Sequence, residues 1–179
     1  MRLGLLVSNG LILGAIGWMA TVGGAEQKPT RILARDARAG VSPADFMELE
    51  RRAATSPTAP AVTALASAYL DRDEPGLATA VLERAPGEVR QRPEVAHLYA
   101  RALFHRGHAR EALAVARDAS ESCAEVDRCA PWVAAKTARQ AAFFEQVVAA
   151  GVDDPQRDPA ATLAAYERSA REVRLVALR

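Results

Sequence analysis

The chain holds two cysteines, and their spacing limits the chemistry they could perform. Cys123 and Cys129 lie in "ESCAEVDRC", separated by five residues. This differs from the Cys-x-x-Cys pattern of a redox site. In an exported protein we expect a disulfide that closes this short loop and stabilises the fold by roughly 2 kcal/mol. The alternatives are free buried thiols in a cytoplasmic protein, or a Cys129 that simply packs near Trp132.

Histidines and carboxylates give no stronger indication of catalysis. His105 and His108 could join the cysteines in a zinc site, but the spacing matches no common finger, and histidines at a helix turn are ordinary. The carboxylate pairs fall in polar loops or on a solvated helix face: Asp153 and Asp154, Glu48 and Glu50, Asp71 and Asp73. The sequence has no Walker loop, Gly-x-Ser-x-Gly or His-Glu-x-x-His motif. We therefore predict a protein that is not an enzyme and that needs no metal or other cofactor.

The composition favours closely packed helices. Half of the 179 residues are apolar but only 5% are aromatic, and alanine dominates the apolar class. This length suffices for one domain with a substantial core. The net charge is +1 and basic residues are not interleaved with aromatics, so we expect no nucleic-acid binding. The bias towards alanine and arginine is typical of GC-rich bacterial genomes.

The N-terminus carries an apolar run, from Leu3 to Ala25, of 23 consecutive uncharged residues. As a helix it would be about 34 Å long and could cross a bilayer. We predict that residues 1–25 anchor the chain in the inner membrane and that residues 26–41 form a linker to a periplasmic domain. The alternative is a signal peptide cleaved after "VGGA", which would release the domain into the periplasm. Counted literally, the flanking basic residues would give the opposite orientation.

Two glycines within this run offer a route to self-association. Gly10 and Gly14 form a small-xxx-small pair that would let two such helices approach closely in a homodimer. The alternative is that they simply face lipid.

The remainder of the chain has helical periodicity. Ser42, followed by Pro43, is a helix start. Two helices are predicted near the C-terminus, at about 131–150 and from 159 to 177, forming a hairpin over 131–177. The predicted apolar stripe of the first is Val133, Thr137, Ala141, Phe144 and Val148, and that of the second is Leu163, Tyr166, Ala170, Val173 and Ala177.

A fixed period links two central segments. The interval from Ala66 to Ala100 equals the interval from Ala78 to Ala112. A repeat of this length, about 34 residues with two helices in each unit, indicates a solenoid. The segments "VTALASAY" and "LATAVLERA" are followed by "HLYARAL", Gly107 and "REALAVARDA". Over residues 59–120 this pattern resembles the tetratricopeptide repeat, whose small residues lie where paired helices cross. A generic pair of alanine-rich helical hairpins is the alternative.

The resemblance implies an all-α fold, a short tetratricopeptide-like helical solenoid. We predict about seven helices, counting the N-terminal one. The helical domain covers 42–179, with repeats at about 59–92 and 93–126. Because two repeats bury too little surface alone, the helix from Pro43 and the C-terminal hairpin would cap the two ends.

The resemblance also implies a binding surface, since the first helix of each unit lines the concave face of such proteins. It assigns partner-binding roles to Thr63, Ser67, Leu70, Asp71, His97, Arg101, Phe104 and His105. Phe104 would anchor an apolar side chain of a bound protein or peptide, Arg101 would pair with a carboxylate, and the histidines would make binding depend on pH near roughly 6–7. The sequence thus predicts a scaffold at the bacterial cell envelope. The alternative is a structural or oligomerising module whose groove is filled by its own C-terminal hairpin.

Overall fold

The structure, a computed structural model, describes residues 41–125 and 129–177, with only the backbone for 172–177. Within these ranges it contains eight helices and no strand, which confirms the predicted all-α class for this part of the chain. The apolar run, Gly10 and Gly14, and nearly all of the predicted linker lie outside the described residues. No helix of the described part is long and apolar enough to cross a membrane.

The helices follow one another with short connections. Their bounds are α1 Pro43–Thr55, α2 Ala59–Asp71, α3 Pro75–Arg84, α4 Gly87–Arg90, α5 Pro93–His105, α6 Ala109–Ala124, α7 Pro131–Ala149 and α8 Pro159–Ala177. Proline occupies the first turn of α1, α2, α3, α5 and α7, where a missing N–H costs no helical hydrogen bond. Ser42 caps α1 by accepting a hydrogen bond from the Asp45 amide at 3.2 Å. The single-turn helix α4 was not predicted.

The helices form consecutive pairs, α2 with α3, α5 with α6, and α7 with α8, and α6 packs on α7 as extensively as it does on α5. The first members of the pairs also contact one another, α2 with α5 and α5 with α7. Consequently these three helices, although far apart in sequence, contribute to one continuous surface.

The turns within the first two pairs share a backbone conformation. Asp73 and Gly107, separated by the same interval as the paired alanines, both have a left-handed backbone, with φ of 60° and 84°. In each turn this residue and the next donate hydrogen bonds to equivalent carbonyls of the preceding helix, at 3.1 and 2.9 Å after α2 and at 3.1 and 3.0 Å after α5. The four alanines of the repeating pattern, Ala66, Ala78, Ala100 and Ala112, have no exposed surface.

The predicted apolar stripe of α8 is wrong for the side chains that the structure describes. Leu163 is 59% exposed and Tyr166 58%, whereas Ala165 is fully buried and Ser169 nearly so. Ala165 packs in a cluster with Ala109, Val147 and Val152. Because bulky residues already fill this contact from other elements, α8 approaches through its small residues and turns its large ones outward.

Candidate functional site

Two open cavities lie on the surface formed by α2, α5, α7 and α8, which we call the groove face. The first, the Trp132 cavity, has a volume of about 420 Å³ and lies among α2, α5 and the start of α7. Its lining includes Thr63, Ser67, Glu94, His97, Trp132 and Lys136. Trp132 is 65% exposed. A large exposed ring beside hydroxyls and one charge of each sign suits a mixed polar and apolar ligand.

His97 forms part of the wall rather than an exposed contact. It is only 8% exposed, and the side-chain amide of Gln140 donates a hydrogen bond to its carbonyl oxygen at 3.1 Å. Burial, reinforced by the charge of Lys136, lowers the pKa of His97 to about 4. The imidazole is therefore neutral at pH 7, and the pKa of His97 lies below the range of 6–7 that the sequence predicted for the pH dependence of binding.

The second cavity, the Phe104 cavity, has a volume of about 540 Å³ and lies among α5, α7 and α8. Its floor is aromatic. Phe104 stacks on Phe144 with ring centroids 4.5 Å apart and lies 5.3 Å from Phe143, which meets the edge of Tyr166 at 5.7 Å. Rings from three helices thus converge at one place.

Two of the side chains around this floor, Arg101 and Arg139, carry positive charge. Arg101, Arg139 and His105 line the Phe104 cavity, and no carboxylate is among the described residues that do so. Beside the cavity, Oδ1 of Asp71 lies 3.9 Å from Nη2 of Arg101. Both side chains are well exposed, so this pair contributes little to stability and is easily exchanged. Burial, together with Arg101, lowers the pKa of His105.

Most of the predicted site residues lie in one of the two cavities or directly beside one. Thr63, Ser67 and His97 line the Trp132 cavity, and Arg101, Phe104 and His105 line the Phe104 cavity. Asp71 lies beside Arg101.

Leu70 is the exception. It is only 7% exposed and packs in the core with Val62 and Ala66. These three residues recur every four positions and so share the buried side of α2. The Leu70 side chain is therefore turned away from the groove face.

Several lining residues come from the C-terminal hairpin, for which the sequence predicted a cap or a filler of the groove but no binding residues. They are Trp132, Lys136, Arg139, Gln140, Phe143 and Tyr166. The sequence did contain a pattern that indicates them. Along α7, the intervals of four, three and four separate Trp132, Lys136, Arg139 and Phe143. That spacing places them on one side of a helix.

The C-terminal hairpin packs against Phe104 of α5 but leaves Arg101 open to solvent. Phe104 is half-buried against α7, whereas the side chain of Arg101 is 41% exposed. The aromatic floor therefore contributes to the packing, and the charged rim stays accessible.

The remaining candidates for chemistry lie elsewhere. Cys123 and Cys129 form a disulfide between the end of α6 and the start of α7. His108 contacts Glu111, with Nδ1 3.4 Å from Oε1. Among the residues that the structure describes, no group of three or more histidine, cysteine or acidic side chains is placed to hold a metal.

Comparison with protein-family models, curated proteins and solved structures finds no match for this chain. The assignment of a function therefore depends on the geometry and charge of the groove face.

Proposed function

We propose that this chain is a non-enzymatic scaffold that binds an extended peptide segment of a partner protein across the groove face. The observation that carries the proposal is the pair of open cavities along α5, one bordered by Trp132 and the other by Arg101 and Tyr166. Tryptophan, tyrosine and arginine dominate binding energy at protein interfaces. Partly exposed on a concave surface, they suit capture of another chain better than catalysis.

The spacing of the cavities supports a peptide as ligand. His97 and His105 mark the two cavities on α5 and are eight residues apart, about 12 Å along the helix. An extended chain advances about 3.3 Å per residue. A segment of roughly four to six residues would therefore reach from one cavity into the other.

The scaffold is, in this proposal, a short tetratricopeptide-like solenoid. Its support is the recurrence, at one common interval, of the buried alanines and the left-handed turns, together with the contacts among α2, α5 and α7. In solenoids each unit packs on its neighbours, so equivalent helices share one surface.

We place this scaffold at the bacterial cell envelope. Residues 3–25 would either anchor it in the inner membrane, with the helical domain in the periplasm, or be removed on export. The disulfide supports an oxidising compartment, where such bonds persist.

Peptide display tests the proposal. The whole chain is panned against random peptides, and the affinities of the recovered peptides are measured for wild type, Trp132→Ala and Leu77→Ala. Leu77 is a matched control, because it is 51% exposed but lies on α3, outside the groove face. We expect Trp132→Ala to weaken binding at least about tenfold and Leu77→Ala to have no effect. Failure to enrich any peptide would contradict the proposal.

A second function is favoured by one observation, the stacking of Phe104 on Phe144 across α5 and α7. It suggests a structural or oligomerising module whose groove is filled by its own C-terminal hairpin. In that case Phe104→Ala would lower stability, and Arg101→Gln would change neither stability nor any binding. The scaffold proposal instead expects Arg101→Gln to weaken binding while the melting temperature stays within the range of other surface substitutions.

A further inference from the structure

We propose that the Phe104 cavity selects the partner by taking an internal Asp or Glu of the bound peptide together with a large apolar residue two positions away. This inference rests on the proposed peptide-binding function and deepens it by naming the chemistry that the groove face recognises.

The charge of the cavity is a local property. The whole chain has 23 basic and 22 acidic residues, so it is nearly neutral. Yet two guanidinium groups from different helices, Arg101 of α5 and Arg139 of α7, line the Phe104 cavity without a carboxylate among its described lining residues. The Trp132 cavity has one charge of each sign, Glu94 and Lys136. Of the two, only the Phe104 cavity would select by charge.

The arginines have capacity for a carboxylate ligand. Arg139 directs Nε to the Ala135 carbonyl oxygen at 3.1 Å, which leaves its terminal nitrogens for other acceptors. Arg101 meets Asp71 only at 3.9 Å, on the exposed rim. Since guanidinium groups form paired hydrogen bonds with carboxylates, an acidic side chain of a peptide would replace Asp71 as the partner of Arg101.

The aromatic floor supplies the second half of the recognition. Phe104, Phe143, Phe144 and Tyr166 line one side of an open cavity of about 540 Å³, within the range of ligand pockets. An aromatic or branched side chain would lose exposed apolar surface there and meet the ring edges. A purely acidic peptide would leave this floor exposed, so the cavity favours a combination of the two groups.

The positions of Arg101 and Phe104 determine the spacing of the motif. Three residues apart on one helix, their Cβ atoms lie about 5–6 Å apart. In an extended peptide, residues two apart point to the same side and are separated by about 6–7 Å. Neighbouring residues point to opposite sides. The acidic and the apolar side chain therefore belong two positions apart. Because the Trp132 cavity also borders α5, a peptide that occupies both cavities continues past Arg101, and the carboxylate is an internal side chain.

A blocked peptide array tests this inference. The peptides are short, acetylated at the N-terminus and amidated at the C-terminus. They carry Glu, Gln or Lys at one position and Phe, Leu or Ala two positions later. The remainder is a constant alanine-serine sequence that ends in the residues recovered by peptide display. We expect Glu with Phe or Leu to bind the whole chain at least about tenfold tighter than Gln with Phe or Glu with Ala. The double variant Arg101→Gln/Arg139→Gln should lose that preference.

Arg84→Gln, compared with Arg139→Gln alone, is the matched control, because it also removes one positive charge, from an exposed position of α3, and should leave the preference intact. Urea denaturation checks that the double variant is folded; if it is not, Arg139→Gln alone serves, with a smaller expected loss. Equal binding of the Glu and Gln peptides, or a preference that survives the arginine substitutions, would overturn the inference. So would a requirement for a free C-terminal carboxylate.

The inference and the proposed function fail in different ways. Peptides that bind without an acidic residue, and whose binding is lost in Trp132→Ala, would overturn the inference but leave the scaffold proposal standing. An absence of binding by every displayed and synthetic peptide would overturn both.

Discussion

Two residues in equivalent turns have a left-handed backbone, but only one of them is glycine. At Gly107, with φ of 84°, an added Cβ would lie 2.8 Å from Cγ of Asp154. Gly107→Ala therefore combines an unfavourable φ with a steric conflict, and we expect it to lower the free energy of unfolding by about 1–2 kcal/mol. Urea denaturation followed by circular dichroism measures this change.

Asp73 provides the matched comparison, since it occupies the equivalent turn with φ of 60°. A side chain in the left-handed region carries a steric cost that glycine lacks. We expect Asp73→Gly to be neutral or to raise the free energy of unfolding by less than about 1 kcal/mol, because glycine also gains freedom in the unfolded chain. Equal destabilisation by both substitutions would contradict this account of the turns.

His97 should make stability depend on pH. Its pKa of about 4 in the folded protein lies below the value of about 6.5 for an unfolded chain. Between these values the unfolded chain binds more protons, so the free energy of unfolding rises with pH. We expect it to be roughly 2 kcal/mol lower at pH 5 than at pH 7 on account of this group, with the loss levelling off near about pH 3.

Denaturation at a series of pH values, in wild type and His97→Leu, isolates this contribution. The variant should lose most of the slope between pH 5 and 7, and His105, whose pKa is also lowered, accounts for the part that stays. The charges near His97, Lys136 and Arg101, are unchanged in the variant. His108→Gln, at an exposed position, is the control. A slope identical in wild type and His97→Leu would refute the assignment.

At the scale of the element, α8 is oriented by its small residues. Ala165 is fully buried and its neighbour Ala164 is exposed. We expect Ala165→Leu to overpack the contact with α7 and cost about 1–3 kcal/mol of stability. Ala164→Leu adds the same atoms on the exposed side and should change stability by less than about 0.5 kcal/mol. If the costs were reversed, the burial of Ala165 against α7 would be contradicted.

At the scale of the molecule, the C-terminal hairpin is joined to the preceding helices through Phe144. This residue is 2% exposed and packs in a cluster with Ala100, Leu103 and Ala112. We expect Phe144→Ala to reduce the free energy of unfolding by about 3–5 kcal/mol. Trp132→Ala removes a comparably large but mostly exposed ring from the same helix and should cost far less.

Denaturation measurements also test whether the helical domain unfolds as one unit. In a Trp18→Phe background Trp132 is the only tryptophan, so its fluorescence reports on α7 while circular dichroism reports on all helices. Coincident denaturation curves are expected if the hairpin and the preceding pairs are one cooperative unit. A separate fluorescence transition would show that the hairpin unfolds independently.

Local features of the sequence were sufficient to predict the all-helical class, the longer helices and the period, but not the single-turn helix α4. Ser42 and Pro43 mark the start of α1. Ala66 and Ala100 occupy equivalent positions in the two central helix pairs. Both features can be recognised in the sequence, because capping and helical periodicity act within a few residues of the chain. The resemblance to the tetratricopeptide repeat assigned binding roles on α5 to His97, Arg101, Phe104 and His105, of which His97 lines the Trp132 cavity and the last three line the Phe104 cavity.

Tertiary packing decided what lies opposite those residues. The hydrogen bond between Gln140 and His97 joins residues 43 apart, and a local pattern contains no information about which helix sides meet over that distance. For the same reason the apolar stripe of α8 was assigned to the wrong side. Apolar residues such as Leu163 and Ala165 occur on several sides of that helix, and the shape of the partner surface, not hydrophobicity, selects the one that is buried.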